Sequence, residues 1–395
     1  MLSKIKTKYF TGLTKDTYLL TLASFFSDVS TEMLYPVLPI YLTQYAGASG
    51  GIIGLIEGVA TAIQNIIQGF SGYFSDKWKN RKQIALFGFC LSAISKPLIG
   101  LTTSWQTTLL ARSSDRLGSG IRSAPRDALV ADSTEEKYKG KAFGLEGFGD
   151  NAGAFLGPVI TLFLFFYLAI DIHSIFFLAF FPGALAVAMI FFVSDKKKKE
   201  NQNKTNIYSL RQFPKAYWKY LFVTILFGLG NSSNLFLILQ IREKGLSLIL
   251  TVGVYAIFNL VAALFSYPTG NWSDKIGRKP LLLLAFIIFF ITYSGFAFIT
   301  NIYLFGVLFI FYGLFQGAFR AVGKSFATDF MPKEFRASAV GWYSTAVGIA
   351  SLFASILAGQ LWDHVSHSSV FIFGAASSLI GIIALVILVP NNKQK

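Results

Sequence analysis

Apolar residues in this chain come in long runs separated by short polar breaks, without the strict alternation that marks half-buried strands. Twelve runs can be drawn, at 17–43, 50–74, 83–103, 106–131, 140–168, 172–194, 216–241, 248–271, 279–300, 302–327, 336–362 and 367–390. Each has the ~20 residues an α-helix needs to cross the hydrocarbon core of a bilayer. The breaks are too short to house an extramembrane domain. The exception is 195–215, where SDKKKKENQNKTN predicts a flexible linker. The pattern therefore predicts an all-α polytopic membrane protein: an N-terminal six-helix bundle at 1–194, the linker, and a C-terminal six-helix bundle at 216–395.

The fourth run departs from the pattern. Arg112–Asp132 reads RSSDRLGSGIRSAPRDALVAD, with the length of a span but four arginines and several aspartates. At 100° per residue, Arg112, Asp115, Arg116, Ser119, Arg122, Ser123, Arg126 and Asp127 fall within an arc of about 140°. Leu110, Ser114, Leu117, Ile121, Ala124 and Ala128 occupy the other side. An arginine near mid-bilayer costs ~2.5–3.5 kcal/mol on insertion scales, so such charge faces a polar interior and marks a substrate or ion path.

Composition supports the membrane reading. Of 395 residues 53% are hydrophobic and 14% charged, and the mean hydropathy is +0.55; a soluble domain carries roughly 25% charge. The net charge of +15 does not call for nucleic acid, because the lysines and arginines cluster in short loops. Lys4, Lys77, Lys137, Lys196–Lys199, Lys275, Lys333 and Lys393 and their neighbours fall on one side of the spans. The other side shows only Arg242 and Lys244. Both termini are therefore expected in the cytoplasm. The single cysteine, Cys90, excludes an intrachain disulfide, and His173, His364 and His367 fall at predicted loops without zinc spacing. No cleavable leader is expected, since the first apolar run is full length and lacks a small-residue cleavage site.

The halves repeat. GYFSDK at 72–77 matches GNWSDK at 270–275, an offset of 198; Asp132, Lys139 and Gly144 match Asp329, Arg336 and Gly341, an offset of 197. Parallel repeats of this kind place a substrate site between the halves, near mid-bilayer.

The second loop copy, Gly270-Asn-Trp-Ser-Asp274-Lys-Ile-Gly277-Arg278-Lys279, resembles the GxxxDxxGRK signature of the major facilitator superfamily. The first copy, Gly72 to Asp76 and on to Arg81-Lys82, has one extra residue and lacks the glycine. The resemblance covers the whole chain and implies twelve helices in two pseudo-symmetric bundles and transport by alternating access. An aspartate at a helix end can pair with basic residues or with another helix's positive end, so Asp76, Arg81, Arg126, Asp127, Asp274 and Arg278 are the expected cytoplasmic gate. Arg116-Leu-Gly-Ser-Gly120 is similar to the family's RxxxG element, with Ser119 in the usual glutamine place; the resemblance implies a part for Arg116 in proton transfer. DRxGxGIRxAPRDALxAD is similar to a bacterial subgroup of exporters. Gly153-Ala-Phe-Leu-Gly157-Pro158 is similar to the GxxxGP element of antiporters, without its following glycine pair; small-residue helix packing explains the same residues.

Acidic residues recur at four-residue spacing on two more spans: Asp28 and Glu32 in the first, Glu146 and Asp150 in the fifth. A carboxylate that exchanges an arginine contact for a proton as water access changes is a workable coupling element. Asp28, Glu32, Arg116 and Asp150 are the expected proton-coupling residues. Arg112, Arg122, Glu57, Asn234 and Asn259 are the expected substrate-binding ones, the two asparagines because an unpaired buried amide is costly. The second half is otherwise polar and aromatic, with Tyr255, Tyr267 and Tyr293 among its span residues.

These features predict a secondary transporter rather than an enzyme, with no GxxxxGK[ST] for ATP. The expected activity is proton-coupled antiport exporting a small organic compound, by a monomer in the bacterial inner (plasma) membrane, driven by the proton gradient without a cofactor. The alternative is proton-coupled movement of an anionic solute such as a carboxylate, a phosphorylated compound or a siderophore, with Arg112, Arg116 or Arg122 on its charge. The first half's core charges, five bases (Lys96 and the four arginines) against seven acids (Asp28, Glu32, Glu57, Asp115, Asp127, Glu146 and Asp150), allow the arginines to be paired internally.

Overall fold

Fifteen helices follow one another in a computed structural model that describes residues 12–78, 80–135, 139–194, 213–331 and 336–390. They are α1 (Lys15–Leu34), α2 (Leu38–Gln44), α3 (Gly50–Trp78), α4 (Arg81–Gly100), α5 (Trp105–Ser133), α6 (Lys139–Leu168), α7 (Ile172–Leu178), α8 (Phe180–Phe191), α9 (Lys215–Gly228), α10 (Leu235–Glu243), α11 (Leu248–Ile276), α12 (Arg278–Phe298), α13 (Ile302–Asp329), α14 (Arg336–His364) and α15 (His367–Leu388). No strand occurs among the described residues.

Each of the twelve predicted runs is helical, and three are divided. The first breaks at Tyr35-Pro36-Val37, where Pro36 lacks an N–H and restricts the residue before it. The sixth pauses at Ala179, because Pro182 cannot donate to the Leu178 carbonyl. The seventh opens at 229–234, where Gly230, Asn231, Ser232, Ser233 and Asn234 are all poor helix formers. Nine helices among the described residues are long and apolar enough to cross a membrane. α1, with Asp28, Glu32 and many hydroxyl residues, and α5, with its arginines and aspartates, are too polar to join them, and the seventh run is too divided.

The contacts group the chain into two compact units, Met1–Leu34 with Ile67–Leu101 and Leu110–Asn203, and Tyr35–Ile66 with Thr102–Leu109 and Lys204–Lys395. The predicted linker lies almost wholly outside the described residues. In the first unit α1 packs along α6 and α8, and α4 packs on α7 and α8. Glycines set the α1–α6 distance: a Cβ on Gly153 would sit 3.0 Å from the Asp28 Cβ, and one on Gly157 2.8 Å from the Val29 carbonyl oxygen. In the second unit α11 packs on α13, α12 on α13 and α15, and α9 on α14 and α15. Its core is aromatic, with Phe227 stacked on Phe286 at 3.8 Å between centroids and Phe289 on Tyr293 at 3.9 Å. Large apolar side chains such as Phe87, Leu110, Phe148, Leu264 and Phe353 are left exposed, as a lipid-facing surface requires.

Candidate functional site

The charged face of α5 is turned inward. Arg112, Asp115 and Arg122 are all buried, whereas Leu110 on the opposite face is 68% exposed. α4 and α5 approach closely: a Cβ on Gly118 would lie 2.6 Å from the Ser92 nitrogen, and one on Gly88 2.7 Å from the Gly118 carbonyl oxygen. The crossing delivers Ser92 and Lys96 to Asp115.

Asp115 is the centre of the first cluster. Its Oδ1 accepts from Ser92 Oγ at 2.6 Å and from Lys96 Nζ at 3.2 Å, and its Oδ2 accepts from Arg112 Nη1 at 3.1 Å. Arg116 Nε stands 3.8 Å from the same Oδ2. Lys96 also donates to the Ser92 carbonyl at 3.2 Å. With Lys96, Arg112 and Asp115 each only 1% exposed, the low dielectric strengthens every one of these contacts and penalises the loss of any.

Arg126 centres the second cluster. Its Nη2 is 2.9 Å from Glu146 Oε1 and 3.0 Å from Asp127 Oδ1, and its Nη1 is 3.5 Å from Asp150 Oδ1. Ser24 Oγ accepts from Arg126 at 3.0 Å and donates to Glu146 at 3.0 Å, tying α1 into the group. One turn earlier, Arg122 donates to Ser27 Oγ and lies over the Phe89 ring at 4.5 Å, a cation–π contact strengthened by burial. Arg122, Asp28 and Asp150 act on one another electrostatically. The structure thus brings Asp28, Arg122, Arg126, Asp127 and Asp150 together, with Glu146 as a full member.

The remaining expected residues are dispersed. Glu32 lies on α1 beside Gly157. Glu57 is buried in α3, in the second unit. Asn234 Oδ1 accepts from Tyr312 Oη at 2.7 Å, within an aromatic group that includes Phe258 and Tyr293. Asn259 is half-buried on α11. Arg81 pairs with Asp132 and Arg278 with Asp329, each inside its own unit. The side chains of Asp76 and Asp274 lie outside the described residues. Ser24, Ser27, Ser92 and Phe89 were not singled out by sequence; the one signal for Ser92 is its four-residue spacing from Lys96.

The two ion pairs repeat one geometry. Arg81 to Arg278 and Asp132 to Asp329 are both offset by 197, so the same arginine meets the same aspartate in each half. The model of the Major Facilitator Superfamily matches residues 20–263 and again 220–395. The chain belongs to that superfamily. It is 35% identical over 382 residues to an MFS-type transporter of Methanocaldococcus jannaschii, covering 95% of each chain. It is 24% identical over 392 residues to the quinolone resistance protein NorA of Staphylococcus aureus, covering 95% of this chain and 97% of NorA. Among solved structures, the nucleoside transporter NupG shares the fold with a TM-score of 0.78 at 16% identity, over 97% of this chain and 100% of that one. The protein is a multi-pass membrane transporter of a small molecule, not an enzyme.

Proposed function

We propose that this MFS transporter is a proton-driven antiporter that exports a small organic compound by alternating access. The observation that carries the reading is the Arg126 cluster. Two cations, Arg122 and Arg126, stand among four carboxylates, Asp28, Asp127, Glu146 and Asp150. Carboxylates in excess of their counter-charges resist ionising together, so protons complete the balance. A proton arriving at Asp150 or Asp28 loosens that carboxylate's hold on arginine, and its departure restores the hold. Such an exchange couples proton occupancy to the packing of α1, α5 and α6.

Arg112 and Arg116 are drawn to Asp115, and Arg122 to Ser27 and Asp28. These engagements favour the antiport reading over direct binding of an anionic solute. The aromatic group around Asn234 supplies walls for an uncharged or planar compound, and the likeness to a quinolone resistance protein agrees with export. The reading places both termini in the cytoplasm and the monomer in the plasma membrane, without a cofactor.

Proteoliposomes test it. Substrate movement against its own gradient, driven by an imposed pH gradient, is the expected result; flux that is strictly downhill overturns the reading. Asp28→Asn, Asp150→Asn and Arg116→Ala are each expected to abolish the pH-driven component while the protein still elutes as a folded species.

A further inference from the structure

Away from the charged clusters, the second unit holds a cavity of about 490 Å³ that the proposed antiport does not use. It opens where the seventh and eleventh spans end and the twelfth begins, on the face opposite the lysine-rich loops. Gln240, Glu243 and Lys244, at the end of α10, line one side. Trp362 of α14 and His367 and Ser368 of α15 line the other. Sites for small molecules run from about 300 to 1,000 Å³.

The walls are held in place by packing. Trp362 stacks on His367 at 4.1 Å and 17° and meets Phe236 at 5.8 Å between centroids. Gln240 is only 1% exposed, and its Nε2 donates to the Phe296 carbonyl at 3.2 Å. Its Oε1 is buried too, and no group among the described residues donates to it. A buried acceptor without a donor is costly, and a ligand N–H removes that cost. Glu243, three residues on, shares the same face of α10, with its Oε2 4.0 Å from His367 Nδ1. Two acceptors, one of them anionic, thus border the cavity as an ammonium group requires. Lys244 adds a cation beside them and makes no ion pair among the described residues.

We propose that this cavity binds a small zwitterion, its ammonium held by Gln240 Oε1 and the Glu243 carboxylate and its carboxylate or phosphate by Lys244. A simple cation would have Lys244 as a repelling neighbour. A simple anion would be repelled by Glu243 and would leave the Gln240 oxygen without a donor. A zwitterion meets all three groups with the sign each needs. A free amino acid carries this chemistry, and so does the ethanolamine phosphate headgroup of a membrane lipid. Every lining residue belongs to the second unit, and the site stands whether or not the antiport reading does.

The test uses the full-length protein in detergent, freed of lipid and titrated with glycine, phosphoethanolamine or plain ethanolamine. The readout is the thermal midpoint, which rises when a ligand binds the folded state. A saturable rise with glycine or phosphoethanolamine is expected, and Gln240→Met and Glu243→Gln should each weaken it at least tenfold. Lys244→Met should weaken the zwitterion by a similar factor and leave ethanolamine no weaker than before, a split that general loss of structure would not produce. Glu243 is exposed, so its variant decides the matter even where Gln240→Met fails to fold. No saturable rise with either zwitterion overturns the proposal, as does a rise unaltered by Glu243→Gln and Lys244→Met. Nanodiscs then separate the two sources. Where the lipid headgroup fills the site, phosphoethanolamine raises the midpoint in phosphatidylglycerol discs and not in phosphatidylethanolamine discs; equal rises in both mark a free solute as the occupant.

Discussion

Asp115 shows what one residue does in this transporter. Its two oxygens meet Ser92, Lys96 and Arg112 at hydrogen-bond distance, with Arg116 behind. Asp115→Asn keeps the shape and removes the charge, leaving Lys96 buried without its carboxylate; breaking such a pair costs about 3–5 kcal/mol. A large fall in thermal midpoint is expected, and a midpoint equal to wild type would show the cluster to be dispensable. Lys96→Met should be milder, because Asp115 retains both arginines. Asp171 offers a contrast outside the spans. It caps α7, with Oδ1 accepting the Ser174 N–H at 3.0 Å and Oδ2 the Ser174 hydroxyl at 2.9 Å. The backbone bond first, then the hydroxyl, holds its carboxyl below the usual carboxylate range. A lowered folded-state pKa contributes stability that is present above the unfolded value and lost as pH falls through the folded one. Asp171→Ala should therefore lower the midpoint slightly at neutral pH, in line with a cap worth about 0.5–1 kcal/mol at this exposed site. The difference should begin to shrink as pH falls below about 4 and vanish only below the lowered folded-state value. The arginines of α5 were legible in sequence because charge is rare in a span. The serines that receive them were not, since serine is common in membrane helices and its partner is fixed only by the crossing.

At the scale of elements, glycine decides which charges meet. α4 and α5 cross where Gly88 and Gly118 leave no room for a Cβ, and that crossing alone places Lys96 beside Asp115. Gly118→Val should push the helices apart at about 1–3 kcal/mol for overpacking, seen as lost folded yield. Gly147→Ala, where a Cβ meets nothing within 4 Å, should be neutral or slightly stabilising, since alanine is the better helix former by ~1 kcal/mol. Equal losses in the two would discard the packing argument. Hydropathy found every span because length and apolarity are properties of the run. It ran through the breaks at Pro36 and at 229–234, because a window of about twenty residues averages over a few poor helix formers. The loop motifs likewise suggest Arg126 for the gate and do not show that Glu146 and Asp150 of α6 lie beside it. That proximity depends on how α6 seats against α1 through Gly149, Gly153 and Gly157.

The whole molecule is a repeat with unequal contents. An Arg–Asp pair occurs in each half, Arg81–Asp132 and Arg278–Asp329, whereas the Asp115 and Arg126 clusters lie in the first, and the positions 197 residues on hold Tyr312 and Gly323. The second pair is the more enclosed, with side chains 18% and 16% exposed against 31% and 29%. Arg278 also donates to the Ser325 carbonyl at 2.6 Å. Arg278→Gln should therefore destabilise by about 1.5–3 kcal/mol, as for hydrogen bonds to charged groups. Arg81→Gln should cost about 1 kcal/mol or less. Thermal midpoints in the reverse order would contradict this ranking. The neighbouring lysines follow the same plan: Lys82 donates to the Phe191 carbonyl at 2.8 Å, and Lys279 to that of Val389 at 2.6 Å. Each short loop thus straps its half twice, the arginine to the fourth span and the lysine to the end of the sixth. These straps draw on one half only, so a rocking motion need not break them. They act as braces: each resists shear between the spans of its own half, so that the half keeps its shape under load.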